Sequence, residues 1–233
     1  MALNFNPRAL PGPGTAVTSD TRVVVLADAE YLVRGVIVDG SLSRDPLNTG
    51  DVDYLRAGMV LGRITATSLY APSILGVSTV AYSNTGSTNT NLYVSAYTAT
   101  EIVRRIGTSG TFKLTGPPSA AGTVAVSTVT YSAVNTTSGL ITVTAIGANK
   151  IAGAWVQPTD GSETMKCLIG NGSPLRVTDA DDSDIDVELS NPVIGGQIDS
   201  SQIINYPSDT SMITYIEDAL QECGRFVFDA KFI

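Results

Sequence analysis

The sequence contains no histidine, and only 15% of its 233 residues are charged. Imidazole is the usual general base near neutral pH and a common zinc ligand. Its absence excludes Ser-His-Asp and Cys-His catalytic arrangements, and zinc sites that depend on histidine. The net charge of −8 disfavours binding to a nucleic-acid backbone. We therefore expect no catalytic residue, metal, cofactor or nucleic-acid partner, and a surface that faces another protein.

Cysteine is nearly as scarce, with two residues in the whole chain, Cys167 and Cys223. They lie far apart in the sequence, and neither belongs to a C-x-x-C pair. A single disulfide is one interpretation. In a chain that folds in a reducing cytosol, two buried free thiols are the favoured one.

Long apolar runs are also lacking. The start, MALNFNPRALPGPG, has no cationic stretch followed by an apolar one, and VVVLA is among the longest apolar runs. The sequence thus predicts neither a secretory signal nor a membrane-spanning segment. We expect a protein that is made in the cytoplasm and does not bind membranes.

β-forming residues interrupted by turn-forming residues make up most of the chain. The pattern predicts strands at 22–27 and 31–38 and a hairpin at 77–97. Residues 108–157 alternate between apolar and polar positions, with short turns between the runs. This period of two indicates a compact antiparallel β unit. The fold class we expect is mainly β with minor α.

Two helices are predicted. The first, at 98–106, begins near Thr98 or Thr100 and stops before Gly107. The second lies in SDTSMITYIEDALQECG, with Ser208, Asp209 or Ser211 as its cap and Gly224 as its stop. The second helix places apolar residues on one face at helical spacing, namely Met212, Ile213, Ile216, Ala219, Leu220 and Cys223. A last strand, RFVFDAKFI, follows it.

The N-terminal segment, residues 1–16, is rich in proline and glycine and therefore forms neither a helix nor a central strand. A disordered terminus is one interpretation. The other is an extended arm that orders when its apolar side chains, Leu3, Phe5 and Leu10, dock on a neighbouring subunit.

Two motifs invite a ligand-binding interpretation. Gly58 and Gly62 match no phosphate-binding pattern, so they predict a bent, buried strand in which backbones approach closely. The acidic run 179–188 lacks the glycine and the flanking helices of an EF-hand loop. We interpret it as an exposed loop whose charges favour solubility.

The stretch RAGMVLGRITATSLYAPS resembles the aG-x-VLG-x-(I/V)-T-x-x-x-Y-x-P stretch of tailed-phage head decoration, or capsid cement, proteins of the lambda type. The C-terminal part, from GGQIDSSQIINYPSDTS to FVFDAKF, is similar to the same family, and the middle unit resembles β-rich segments of phage virion proteins. The matching positions of the first motif are Ala57, Gly58, Val60, Leu61, Gly62, Ile64, Thr65, Tyr70 and Pro72.

The resemblance implies a small β-barrel or sandwich decoration domain with one C-terminal helix, formed by 22–97 and 163–233. An inserted β-rich module at 98–162 and an extended N-terminal arm at 1–21 complete the expected organisation. Both additions make this chain about twice as long as the compact members of the family. In the motif, the residues expected to form core and interface are Gly58, Val60, Leu61, Gly62, Ile64, Tyr70 and Pro72.

The family's function is to bind the outside of the expanded phage capsid and clamp neighbouring major capsid subunits against the pressure of packaged DNA. The resemblance thus implies the capsid exterior as the location, the major capsid protein as the partner, and a homo-oligomer, a trimer rather than a dimer. The expected capsid-binding arm consists of Leu3, Phe5, Pro7, Arg8 and Leu10.

Three other functions stay open on sequence grounds. The chain has features of other virion components, from tail, baseplate or fibre. A carbohydrate-binding adhesin module has only the tyrosine-rich strands and Trp155 in its favour, and a single tryptophan more often belongs to a core. An enzyme is the third: carboxylate pairs exist, but a glycosidase needs two carboxylates held across a cleft, and the sequence alone identifies no such arrangement.

Overall fold

The computed structural model describes residues 22–83, 90–144, 148–172 and 174–228. Two α-helices occur there, α1 (Ala96–Arg105) and α2 (Thr210–Cys223), with a short 3-10 helix at Ser200–Gln202. The strands, in chain order, are β1 (Val25–Tyr31), β2 (Val36–Val38), β3 (Tyr54–Leu55), β4 (Val60–Arg63), β5 (Tyr70–Pro72), β6 (Gly76–Val77), β7 (Asn91–Tyr93), β8 (Gly110–Gly116), β9 (Ala125–Asn135), β10 (Leu140–Val143), β11 (Trp155–Gln157), β12 (Met165–Ile169), β13 (Leu175–Arg176), β14 (Val187–Leu189), β15 (Pro192–Ile198) and β16 (Arg225–Phe228). The mainly β fold with minor α is confirmed.

The first sheet has the order β1-β15-β12-β4-β5-β2-β14, and β16 pairs in parallel with β15. It curls strongly, as its connections require. β14 and β15 lie five strand spacings apart along the sheet, about 24 Å if it were flat. Residues 190–191 alone join them and span at most about 11 Å. The sheet therefore bends into a half-barrel.

The second sheet, β6-β11-β8-β9-β10-β7, curls until its two ends meet. Ser78 and Val94 form an antiparallel bridge, and the Thr79 amide donates to the Tyr93 carbonyl at 2.8 Å. The antiparallel unit predicted for 108–157 is confirmed by β8, β9, β10 and β11. The sheet also includes β6 and β7, so it begins upstream of the module boundary expected at residue 98.

The hairpin predicted for 77–97 is the main error in the strand assignment. Among the described residues, its two arms share the Ser78–Val94 bridge and the Thr79–Tyr93 hydrogen bond, whereas β6 pairs with β11 and β7 pairs with β10. Closing the sheet requires each arm to bond a strand that is distant in sequence. The strand predicted at 31–38 is also interrupted, because residues 32–35 form a turn in which Gly35 adopts φ +65°.

Both helices lie close to their predicted positions. The cap of α1 is Ser95 rather than Thr98 or Thr100, and its hydroxyl accepts from the Thr98 amide at 3.0 Å. The cap of α2 is Asp209, one of the three residues predicted as its cap, with bonds from the Ser211 and Met212 amides, and Gly224 follows the last turn.

Two main cores result from this arrangement. One lies between α2 and the first sheet, and it includes Trp155 although that residue belongs to β11. The other fills the interior of the closed second sheet. The first sheet combines strands from 22–97 with strands from 163–233. Trp155 therefore joins the two sheets through a shared core.

The two glycines of the motif lie where backbones touch. A Cβ on Gly62 would stand 1.9 Å from the Ser162 carbonyl oxygen, and one on Gly58 would stand 2.1 Å from the Gln202 carbonyl oxygen. Gly58 also adopts φ +88°. The sequence prediction of close backbone approach in this stretch is confirmed.

Gly62→Ala is expected to lower the free energy of unfolding by about 1–3 kcal/mol, because β4 has to move away from the 162–164 segment. Urea denaturation followed by circular dichroism measures the change. Gly50→Ala is the matched control, since nothing lies within 4 Å of the added methyl group. Equal stability of the two variants would contradict the close approach.

Candidate functional site

The motif residues divide into a buried part and an exposed end. Val60, Leu61 and Ile64 are buried around β4, and Pro72 is buried on β5. Tyr70 is half-buried, and Arg63, paired with it across the two strands, is exposed. The apolar part of the motif therefore holds the first sheet together, while its polar end faces an open surface.

That surface is a groove with a volume of about 840 Å³. Three segments form it: the 32–35 turn with β2, the loop between β4 and β5, and β14. The loop is tight, because the Ile64 amide donates to the Leu69 carbonyl at 2.8 Å and the Ser68 amide to the Ile64 carbonyl at 2.9 Å. Side chains that line the groove include Leu32, Arg34, Ile37, Arg63, Tyr70 and Glu188.

Side chains with charges of both signs line the groove, together with apolar side chains. Arg34 and Arg63 contribute positive charge, and Asp186 and Glu188 contribute negative charge. The Asp186 carboxylate accepts from the Gly40 amide at 3.1 Å. This bond holds the start of β14 against the loop that follows β2. Burial raises the pKa of the Tyr70 phenol, an effect that Arg63 opposes. This arrangement suits recognition of a charged chain segment.

Exposed apolar side chains lie on β1 and in the turn that follows it. Among the described strands, β1 pairs only with β15, and the Asn171 side chain bonds the Val25 backbone at the start of β1. Leu26 and Tyr31 on this strand are each about half exposed, and Val33 in the next turn is 97% exposed. Large apolar side chains left in water commonly mark a protein contact surface. We call Leu26, Tyr31 and Val33 the β1 edge patch.

The predicted capsid-binding arm residues, Leu3, Phe5, Pro7, Arg8 and Leu10, lie outside the described residues. The described chain begins at Arg22, immediately before β1.

The acidic run makes contacts within the protein. Asp179 accepts from the Asp181 and Ser183 amides at 2.9 Å each, and Asp182 pairs with Arg176 at 3.0 Å. Asp184 pairs with Arg44. Among the described residues, no group of three or more acidic or cysteine side chains is arranged to hold a metal ion.

Both cysteines are free thiols, which confirms the prediction against a disulfide. Cys167 is buried on β12, and Cys223 is half-buried at the end of α2. Burial raises the pKa of the Cys167 thiol to about 12, and burial also raises that of Cys223. Neither thiol is activated as a nucleophile.

The raised pKa of Cys167 predicts an alkaline loss of stability. The folded protein retains the thiol proton between pH 9 and about 12, where the unfolded chain releases it. The stability linked to this thiol is fully present below pH 9. Above pH 9 it is lost at about 1.4 kcal/mol per pH unit. Urea midpoints from pH 8 to pH 10 measure the slope. Cys167→Ala is expected to show a shallower slope, and equal slopes would contradict this assignment.

Sequence reasoning did not find the groove, because its walls come from segments that are distant along the chain. One signal was available: Arg34 interrupts the otherwise apolar run YLVRGVIV and is followed by glycine. A charged residue before glycine in such a run is typical of a turn. Among the described residues, no helix has the length and apolar character needed to cross a bilayer. No protein-family model, curated protein or solved structure matches this chain.

Proposed function

We propose that this chain is a head decoration protein of a tailed phage. It binds the outer surface of the expanded capsid and clamps neighbouring major capsid subunits against the pressure of packaged DNA. It acts as a homo-oligomer, with a trimer favoured over a dimer. The basis of the proposal is the resemblance of residues 56–73 to the family motif, and the apolar part of this stretch builds the centre of the first sheet.

The observation that carries the proposal in the fold is the β1 edge patch. A free edge strand offers unpaired backbone groups to an added strand, and exposed apolar side chains offer area to bury. On the side away from β15, β1 pairs with no described strand, and Leu26, Tyr31 and Val33 provide exposed apolar area. A structural protein that docks on a shell uses such a surface, whereas a catalytic site does not need one.

The energetics suit a repeated lattice. Each copy buries a modest interface, and a shell repeats that interface many times. Because a ligand shifts an equilibrium only through its different affinity for two states, selective binding to the expanded shell stabilises that state. Prolines in the arm reduce the entropy that it loses on docking, because they stiffen the free segment.

Co-sedimentation with expanded and unexpanded capsids tests the proposal. We expect the full chain to bind expanded shells selectively, and a variant that lacks residues 1–16 to bind them more weakly. Absence of binding to either shell would reject decoration in favour of a tail or adhesin function.

The β1 edge patch has its own test in the same assay. Leu26→Ser combined with Tyr31→Ser is expected to weaken binding to expanded capsids by about tenfold or more. Val126→Ser is the matched control, because Val126 is about as exposed but lies on β9 of the second sheet. Equal loss in both variants would show that the patch has no special role.

A further inference from the structure

The cations of this acidic protein are mostly neutralised within the fold. Arg34, Arg63 and Lys166 differ: all three are exposed, and none forms an ion pair with any described residue. Of these three, Arg34 and Arg63 lie at the groove. Arg63 makes one marginal hydrogen bond, from Nε to the Ser68 carbonyl at 3.5 Å. Those that do form ion pairs are Arg44, Arg56, Arg104, Arg105, Lys113, Arg176 and Arg225.

Two arginines without internal partners in one groove favour an anionic occupant. The guanidinium group is suited to bidentate binding of a carboxylate. In a chain with a net charge of −8, the rest of the surface repels such a group on average. The positive side of this groove is therefore a local exception, and it confers selectivity for an anion at that place.

Apolar side chains also line the groove. Ile37 is 49% exposed, Leu32 is 37% exposed and Tyr70 is half-buried. An inorganic anion does not need these apolar side chains, whereas a peptide with an apolar side chain next to its carboxylates covers them. The open shape admits an extended segment.

Acidic side chains at the groove limit how an anionic segment can bind. Glu188 lies on β14 and Asp186 immediately precedes that strand, and Glu188 forms no ion pair within the described residues. A segment whose carboxylates lie against these two side chains meets like charge, so binding with its carboxylates on Arg34 and Arg63 is favoured.

We propose that this groove docks an extended acidic segment of a partner protein, with its carboxylates on Arg34 and Arg63 and an apolar side chain on Ile37 and Tyr70. The identification of that partner as the major capsid protein rests on the proposed function. The chemistry of the groove does not depend on that identification.

A labelled peptide tests the groove without capsids. The probe is the fluorescein-labelled acidic peptide GDLEDIDG, and its control is the amide counterpart GNLQNING. Fluorescence anisotropy with the full chain at about 50 mM NaCl, where charge pairs are weakly screened, is expected to show binding of the acidic peptide alone. Failure of the acidic peptide to bind at about 1 mM protein would overturn the proposal.

Charge reversal locates the binding. Arg34→Glu combined with Arg63→Glu is expected to lower the affinity for the acidic peptide by about tenfold or more. Arg225→Glu is the control, because Arg225 lies on β16 and does not line the groove. Its side chain is 85% exposed, and its ion pair with Glu30 is long, at 3.7 Å. Circular dichroism verifies that each variant is folded. Equal affinities in the double variant and the wild type would overturn the assignment.

Two other occupants have distinct signatures. If removal of residues 1–16 strengthens peptide binding, the arm of this chain occupies the groove. If the double variant changes the sedimentation coefficient of the free protein, the occupant is a second copy. Either result overturns the proposal.

Capsid co-sedimentation separates this inference from the proposed function. Expanded shells that bind wild type and double variant equally would reject the groove as the contact and leave decoration intact. Shells that bind neither would reject decoration, while the peptide assay still tests the groove.

Discussion

Arg105→Ala is expected to lower the free energy of unfolding by about 2–5 kcal/mol, because it opens a cavity and leaves the Asp160 carboxylate and the Pro72 carbonyl without their guanidinium partner. The Arg105 side chain is 1% exposed. It pairs with Asp160 at 3.2 Å, donates to the Pro72 carbonyl at 2.6 Å, and bonds the Ser162 hydroxyl. These contacts tie α1 to the end of β5 and to the segment before β12.

The burial of Arg105 offsets much of the attraction between the two charged side chains. Burial lowers the pKa of Arg105 despite the neighbouring Asp160, and its Nε has no partner among the described residues. The pair as a whole therefore brings little net stability, while the loss of either partner alone is costly. Arg105→Met combined with Asp160→Asn is expected to be less destabilised than the sum of the single changes.

Urea denaturation by circular dichroism measures all these variants. Arg225→Ala is the control, with an expected change of about 0–1 kcal/mol for an exposed pair. A loss below about 1 kcal/mol in Arg105→Ala would contradict the buried-pair interpretation.

The same pair predicts an acid dependence. Burial alone would raise the pKa of Asp160, but Arg105 and the bonds from Ser162 outweigh it, so the pKa is lowered. The stabilisation is therefore present above the ordinary Asp pKa near 3.9 and is lost as pH falls below it. Asp160→Asn is expected to remove this part of the loss of stability at low pH. An unchanged dependence of stability on pH in this range would contradict the assignment.

Trp155→Ala is expected to cost about 3–5 kcal/mol, the range for removing a large buried aromatic side chain. Trp155 is fully buried, and its indole N–H donates to the Asn205 carbonyl at 3.2 Å. Its ring lies 6.1 Å from that of Tyr215 on α2. Because it projects from β11 into the core beneath α2, its removal opens a cavity between the two sheets.

The urea midpoint by circular dichroism measures this loss. Trp155→Phe is the matched control: it retains a ring but loses the indole N–H, and about 1–2 kcal/mol is expected. Equal losses in both variants would show that the hydrogen bond, and not the packing, stabilises the joint. Since this is the protein's only tryptophan, its fluorescence in the wild type reports this joint directly.

Local patterns predicted much of the fold. Alternation identified the strands between 108 and 157, and the apolar face and Asp209 identified α2, because both signals depend on neighbours along the chain. Gly62 predicted a close backbone approach because glycine alone has no Cβ, although the sequence did not identify Ser162 as the segment approached.

What the patterns missed depends on contacts between distant segments. Neither the burial of Arg105 nor the grouping of Arg34, Arg63 and Glu188 in one groove follows from periodicity, which assigns faces but not neighbours. The false hairpin at 77–97 has the same origin. Its arms were adjacent in sequence, but sheet closure gave them other partners.

Closure of the second sheet has a consequence for the order of folding. The Ser78 amide donates to the Ala154 carbonyl at 2.8 Å. The two ends of the segment 79–153 therefore lie next to each other in the fold. Once this unit has formed, its ends are held about one strand spacing apart, near 5 Å. The first sheet then assembles across a short bridge and avoids most of the entropy of closing a long loop. Early formation of the second sheet thus shortens the search for the first.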